Sequence, residues 1–142
     1  MEIIWEIMEI TWEMIRMKKI PTTKRIEKDL NDLLQNYDID NVNFVKSSGI
    51  VQQLAFIGSQ LLRVQQEIIQ KNEQSEDGLG GLIQPGGKNG RKMSGEMLTL
   101  NTLQALYNKN VATLWRIVKD SDKKNVAKVN PLDGFLTQYK DE

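Results

Sequence analysis

Residues 50–69 form the most regular hydrophobic pattern in the chain. Their apolar positions recur at alternating spacings of four and three residues, which is the seam of a heptad helix. Only Arg63 and Glu67 carry charge between Gly49 and Gln70, so this helix needs cover from other helices. We predict that the seam is an oligomer interface made by Ile50, Leu54, Ile57, Leu61, Val64 and Ile68.

The start of the chain shows a second heptad pattern. An apolar arc covers most of the helical surface of residues 2–19, and four glutamates occupy the narrow stripe opposite. The spacing of the glutamates favours a helix over a strand, and Trp5 and Trp12 are typical of packing anchors. We expect this helix to join the oligomer interface or to bind another protein. Its seam residues are Ile3, Ile7 and Ile10.

Two further stretches, residues 23–37 and 95–119, have the spacing of amphipathic helices. Together with residues 2–19 and 49–72 they predict an all-α fold, a helical bundle or coiled-coil-like arrangement of about four main helices. Residues 38–46 lack helical spacing, and we expect a connector there. The expected N-cap residues are Thr22 or Thr23 for the second helix, Ser47 or Ser48 for the third and Ser94 for the fourth.

The composition changes sharply at residues 73–93. Six glycines surround one proline there, which predicts a flexible linker. The linker separates N-terminal helices over residues 1–72 from a C-terminal helix and tail over residues 94–142. Part of the linker matches a phosphate-binding loop, but no Ser or Thr follows Lys88 and no apolar strand precedes it, so we reject that function. The apolar residues expected to dock the tail are Leu132, Phe135, Leu136 and Tyr139.

The residue types in the central seam indicate how many copies of the chain would associate. Leucine predominates at its a positions and β-branched residues fill its d positions. This combination shifts parallel coiled coils from dimers towards trimers or tetramers. A helix inside a monomeric bundle shows the same heptads, and that alternative stays open. We favour self-association because the first helix is also apolar on most of its surface.

Composition and charge exclude several classes of function. The 19 basic and 19 acidic residues cancel, so no net field steers the chain to nucleic acid or anionic lipid. The chain has no Cys and no His, which excludes disulfides, zinc sites with those ligands and every catalytic pair that needs histidine. Carboxylate pairs lie in charged connectors where nothing would raise a pKa. We predict no enzymatic activity, no cofactor and no metal.

Neither a signal peptide nor a membrane span is indicated. Glutamates interrupt the apolar N-terminus, whereas a signal peptide has a basic start and an uncharged run. No stretch reaches the roughly 18 uncharged apolar residues of a membrane helix. We therefore expect a cytoplasmic or otherwise intracellular protein.

Two basic groups indicate a second candidate function. Basic residues on flexible segments bind phosphates without reading bases. The alternative is an ordinary solvated helix end, where lysines also suit the helix dipole. The candidate nucleic-acid-binding residues are Lys88, Arg91 and Lys92 in the glycine-rich segment, and Arg116, Lys119, Lys123, Lys124 and Lys128 around the end of the last helix.

The stretch NVNFVKSSGIVQQLA, residues 41–55, leads into glutamine-rich heptads. It resembles the small coiled-coil, virion-associated proteins of plant pararetroviruses of the badnavirus and tungro type. In that family a serine-rich start precedes a heptad helix and a Gly, Pro and basic segment follows, which residues 78–92 resemble. The resemblance implies a tetramerising helix and a nucleic-acid-binding tail that works with the capsid. It implies phosphate contacts at Lys88, Arg91 and Lys92, although here the basic segment is short and internal.

These patterns together predict a non-enzymatic helical scaffold or adaptor. Such a structural protein would self-associate and act through protein–protein interaction and assembly. The alternative is a weak, sequence-independent nucleic-acid-binding protein, which the resemblance would make a virion-associated viral protein.

Overall fold

The computed structural model describes residues 19–121 and 130–140, and most of these residues are helical. In this part of the chain, a β-hairpin separates the second and third α-helices, and a 3-10 helix lies near the C-terminus. The predicted helix over residues 2–19, with Ile3, Ile7 and Ile10, lies outside the described residues except for Lys19. Lys123, Lys124 and Lys128 also lie outside them. The elements are α1 (Thr23–Leu34), α2 (Asn41–Gln74), β1 (Ile83–Pro85), β2 (Arg91–Met93), α3 (Gly95–Ser121) and the 3-10 helix (Phe135–Tyr139).

Helix α2 is the central element, because both α1 and α3 pack against it. Each helix contributes apolar residues that recur at helical spacing along one face. These faces meet in one hydrophobic core, so each of the three amphipathic patterns is explained by burial within the chain. The core residues are Ile26, Leu30 and Leu34 from α1, Val51, Leu54, Ala55 and Leu62 from α2, and Val111, Leu114 and Val118 from α3.

The heptad seam of α2 is covered by the chain's own elements. Four of its six residues are buried, and the other two, Ile50 and Ile57, are half-buried. The contacts within one chain are therefore enough to bury the seam. Heptad spacing is found on helices that pack within one chain as well as on helices that pack between chains. The assignment as an oligomer interface is revised to an intrachain core for Leu54, Leu61, Val64 and Ile68, which are at most 8 % exposed.

Helix α2 begins at Asn41, so most of the connector expected over residues 38–46 is helical. Asp40 is the N-cap, and its carboxylate accepts a hydrogen bond from the Asn43 backbone N–H at 2.8 Å. The two serines expected to cap the helix lie inside it, where serine hydroxyls commonly bond to the backbone one turn earlier. They are Ser47 and Ser48, whose hydroxyls donate to the carbonyls of Phe44 and Val45 at 2.9 Å.

The glycine-rich segment has more structure than the expected linker. The side-chain oxygen of Asn72 accepts from the Gly81 N–H at 2.8 Å, and the Ser94 hydroxyl donates to the Gly81 carbonyl at 2.6 Å. Strands β1 and β2 pair as an antiparallel hairpin. The Ser94 hydroxyl also accepts from the Met97 N–H at 3.1 Å, which confirms Ser94 as the N-cap of α3. Polar side chains at both ends of the segment thus satisfy the backbone N–H and carbonyl of Gly81.

Residues 130–140 lie against α1 and α2. Tyr139 is buried, and its hydroxyl donates to the Asp29 carboxylate of α1 at 2.6 Å. A Cβ added at Gly58 of α2 would lie 3.0 Å from a methyl group of Leu136. The tail therefore packs closely on α2 at a position where that helix has no side chain.

Gly81 provides a test of the segment's structure, because a Cβ at this position would lie 2.2 Å from the carbonyl oxygen of Ile68 in α2. The substitution Gly81→Ala should lower the free energy of unfolding by about 2 kcal/mol, measured by urea denaturation. Gly95→Ala is the matched control, since a Cβ there meets nothing within 4 Å, and it should change the free energy by less than about 0.5 kcal/mol. Equal stability of the two variants would contradict the packing of this segment on α2.

Candidate interaction surfaces

The face of α2 opposite the core carries a stripe of three apolar residues, one glycine and one glutamine. Val42 is 67 % exposed, Val45 is 70 % exposed and Phe56 is 57 % exposed. With Gly49 and Gln52 these residues follow the spacing 3, 4, 3, 4 along the helix, which places them on one face. A Cβ added at Gly49 would meet nothing within 4 Å, so the middle of the surface is open. We call these five residues the outer stripe.

Asp40 holds the first turn of α2, where the outer stripe begins. Its carboxylate accepts hydrogen bonds from the backbone N–H and the side-chain amide of Asn43. The Asp40 backbone N–H donates to the Ser121 hydroxyl at 2.9 Å, so the end of α3 is joined to the start of α2. The Asn43 backbone N–H, assisted by the Ser121 hydroxyl, holds the pKa of the Asp40 carboxyl below its ordinary value of 3.8.

The other end of α2 is joined to the first turn of α3. Lys71 and Glu96 form an ion pair there, and the lysine lowers the pKa of Glu96 below its ordinary value of 4.5. Polar contacts therefore join both ends of α2 to α3. The outer stripe faces solvent.

A groove of about 940 Å³ lies between the C-terminal half of α2 and the first turns of α3. The chain leading into α1 and the end of the 3-10 helix line one part of it, and the residue before the hairpin lines another. The α2 wall is rich in uncharged glutamines. Apolar residues that line this groove include Pro21, Leu62, Ile69, Leu82, Met97 and Leu100.

The structure separates the two basic groups. Lys88, Arg91 and Lys92 are exposed on the hairpin, whereas Arg116 and Lys119 are exposed in the last two turns of α3. From its first residue to Lys119, α3 spans about 36 Å at the α-helical rise per residue. The described basic residues therefore form two separate patches rather than one surface for nucleic acid.

The shifted pKa values of the described residues do not place a proton donor or acceptor near neutral pH. Burial raises the pKa of Tyr107 to about 12, so its phenol stays protonated, and the lowered pKa values of Asp40 and Glu96 keep both carboxylates ionised. Catalytic acids and bases need pKa values close to the working pH. Among residues 19–121 and 130–140 there is no cluster of three or more carboxylates suited to a metal ion. In the same ranges, every helix is too short or too polar to cross a membrane.

No family model, curated protein or solved structure matches the chain. The resemblance to virion-associated proteins therefore stays a prediction, and the functional argument depends on the surfaces themselves. Sequence reasoning missed the outer stripe because residues 38–46 were expected to form a connector. The missed signal is Asp40, a favourable N-cap residue, followed by apolar residues at heptad spacing.

The contacts of Asp40 predict a pH-dependent stability. Because its folded pKa is lowered, its carboxylate stabilises the fold above pH 3.8, and this contribution is lost as the pH falls through the lower folded value. Asp40→Ala should lower Tm at neutral pH, as measured by circular dichroism. Asp40→Asn keeps a capping side chain, so it should lower Tm less and flatten the acid side of the Tm profile. A Tm of Asp40→Ala equal to that of the wild type would contradict the cap.

Proposed function

We propose that the protein is a non-enzymatic helical scaffold or adaptor that works as a homodimer, with the outer stripe of α2 as the dimer contact. The observation that carries this proposal is an exposed apolar surface in heptad register, which no described element of the chain covers. The seam that first indicated self-association lies inside the chain. The proposal therefore moves the interface to the opposite face of the same helix.

Burial of the outer stripe would remove a sizeable apolar area from water. Val42, Val45 and Phe56 are each more than half exposed, and full burial of one such side chain contributes about 1.5–3 kcal/mol. Exposed apolar residues on monomers are usually scattered singly, whereas these three share one face of one helix. Such a surface is typical of a contact between helices.

The arrangement of the stripe fits a second copy of the same chain. Val42 lies seven residues before Gly49, and Phe56 lies seven residues after it. If two α2 helices cross antiparallel at Gly49, Val42 of each copy faces Phe56 of the other. A two-fold interface needs this self-complementarity, and a glycine at the crossing permits close approach of the two backbones.

The distribution of charge also permits pairing with an identical surface. Between Asp40 and Arg63 the only charged residue is Lys46, which flanks the stripe. In the antiparallel pair, Lys46 lies three residues before the crossing and is opposite Gln52, three residues after it. Identical copies therefore meet without placing like charges against each other, a placement that would destabilise the pair.

Two copies fit the structure better than the trimer or tetramer expected from the sequence. That expectation used leucines of the inner seam, such as Leu54 and Leu61, and these are buried within one chain. A single crossing of two helices buries less than the roughly 1,200 Å² of a standard stable interface. We therefore expect a dissociation constant in the micromolar range, near 1–100 μM.

Sedimentation velocity over a concentration series tests the dimer. The wild type should change from monomer to dimer between about 1 and 200 μM, and Phe56→Gln should weaken the dimer at least about tenfold, since it removes an apolar contact made twice by symmetry. Phe44→Gln is the matched control, because Phe44 is 59 % exposed on the same helix but lies off the stripe, and it should leave the dimer unchanged. A wild type that stays monomeric throughout, or equal weakening by both variants, would contradict the proposal.

Nucleic-acid binding is the second candidate function. The observation in its favour is that Lys88, Arg91 and Lys92 are all exposed on one small hairpin. Contacts of this kind bind phosphates without base specificity and weaken steeply with salt. A dimer would present two such hairpins and raise the binding strength through effective concentration.

A further inference from the structure

The groove lies where the undescribed N-terminal residues meet the described chain. Lys19 and Ile20 line the groove directly. Pro21 follows them and is buried, and its carbonyl accepts a hydrogen bond from the buried Ser59 hydroxyl of α2 at 3.0 Å. The path of the chain is thus fixed close to the junction between residues 1–18 and Lys19, and this junction lies at the groove.

The length of the groove suits a helix made from those residues. Its α2 wall runs from Leu62 to Gln74, a distance of about 18 Å at the helical rise. Residues 1–18 would span about 27 Å as a helix. A helix that starts at the Lys19 end of the groove therefore covers its whole length with about one or two turns to spare.

The lining of the groove leaves apolar surface without cover in the described chain. Ile69 is 56 % exposed, and Leu82, Met97 and Leu100 are half-buried. Glutamines fill much of the remaining wall, and the charged residues in the lining are Lys19, Glu73 and Lys140. A surface with this little charge can be covered by an apolar helix at a small cost in desolvation.

Residues 1–18 have the apolar surface that would cover this groove. Their heptad spacing predicts a helix whose apolar arc includes Ile3, Ile7 and Ile10, with the glutamates confined to one stripe. If the arc faces the groove, the acidic stripe faces solvent. The pairing therefore keeps the glutamates of residues 1–18 out of the contact, as expected when an amphipathic helix lies in a hydrophobic groove.

We propose that residues 1–18 pack as a helix into the groove of their own chain and form its fourth main helix. We favour docking within one chain over docking in a second copy because Lys19 already lines the groove. No linker therefore separates the segment from its site. A directly joined segment has an effective concentration on the order of millimolar or above at its own groove. A second copy would have to compete at micromolar concentration.

Fluorescence quenching in the full-length chain tests the docking. Because the protein has no native cysteine, a bimane label can be placed at Gln66→Cys in the groove wall. In a Trp5→Phe/Trp12→Phe background, Met14→Trp adds a quenching tryptophan four residues after Ile10, on the same seam of the helix. We expect Met14→Trp to quench the label at least about twofold relative to that background, and the quenching should be constant from about 1 to 100 μM because docking is intramolecular. A label at Thr102→Cys, exposed on α3 outside the groove, should show no such difference.

Two outcomes would overturn the docking. Equal emission of the Gln66→Cys label with and without Met14→Trp would show that the segment does not reach the groove. Quenching that disappears on dilution would show that the segment occupies the groove of a second copy. Neither outcome depends on the dimer contact, because the outer stripe lies on a different face of α2 and is tested by Phe56→Gln.

Thermal stability supplies an independent readout. Ile69→Gln should lower Tm by about 3 °C or more if the groove is filled, because Ile69 would then be buried. Leu98→Gln is the control, since Leu98 on α3 is 57 % exposed, close to the exposure of Ile69, and lies outside the groove lining, so this replacement should leave Tm nearly unchanged. Equal changes in the two variants would overturn the proposal.

Discussion

Helix α2 carries apolar residues in heptad register on two faces, and the described part of the chain covers only one of them. The inner face packs against α1, α3 and the C-terminal tail, and it forms the hydrophobic core. The outer face, which includes Val42, Val45 and Phe56, remains exposed. Because burial of apolar area is the main favourable contribution to both folding and association, the choice of face determines which contacts belong to the fold and which are open to a partner.

Apolar packing against α1 and α3 determines that choice, and polar contacts join the two ends of α2 to α3. Asp40 and Ser121 join the start of α2 to the end of α3, and Lys71 and Glu96 join its end to the start of α3. Exposed pairs of this kind contribute little to overall stability. A stable core and an outward apolar stripe are therefore consequences of the same packing between α2 and α3.

The sequence predicted the helices better than their partners. Helical spacing located α1 and α3, and Thr22 and Ser94 cap them as expected. The start of α2 was missed because Ser47 and Ser48 looked like caps, whereas Asp40 has that role. The structure of the glycine-rich segment was missed in part because two of the side chains that bond to its backbone, Asn72 and Ser94, lie outside it.

The partner of a heptad seam cannot be read from its spacing. The same periodicity arises when Leu54 and Leu61 meet helices of their own chain or of another, because the helix responds only to the apolar surface beside it. Three-dimensional contacts decide between the two cases. The outer stripe was hidden for a related reason, since Gly49 and Gln52 interrupt its apolar pattern in the sequence.

The central claim is that the inner seam of α2 is buried within one chain and the outer stripe between two. Hydrogen exchange measured by mass spectrometry at about 1 μM and about 100 μM tests it directly, because only contacts between copies depend on concentration. The account predicts equal, strong protection of amides in residues 50–68 at both concentrations, and protection of residues 41–49 that rises with concentration. Protection of residues 50–68 that appears only in the concentrated sample would contradict it.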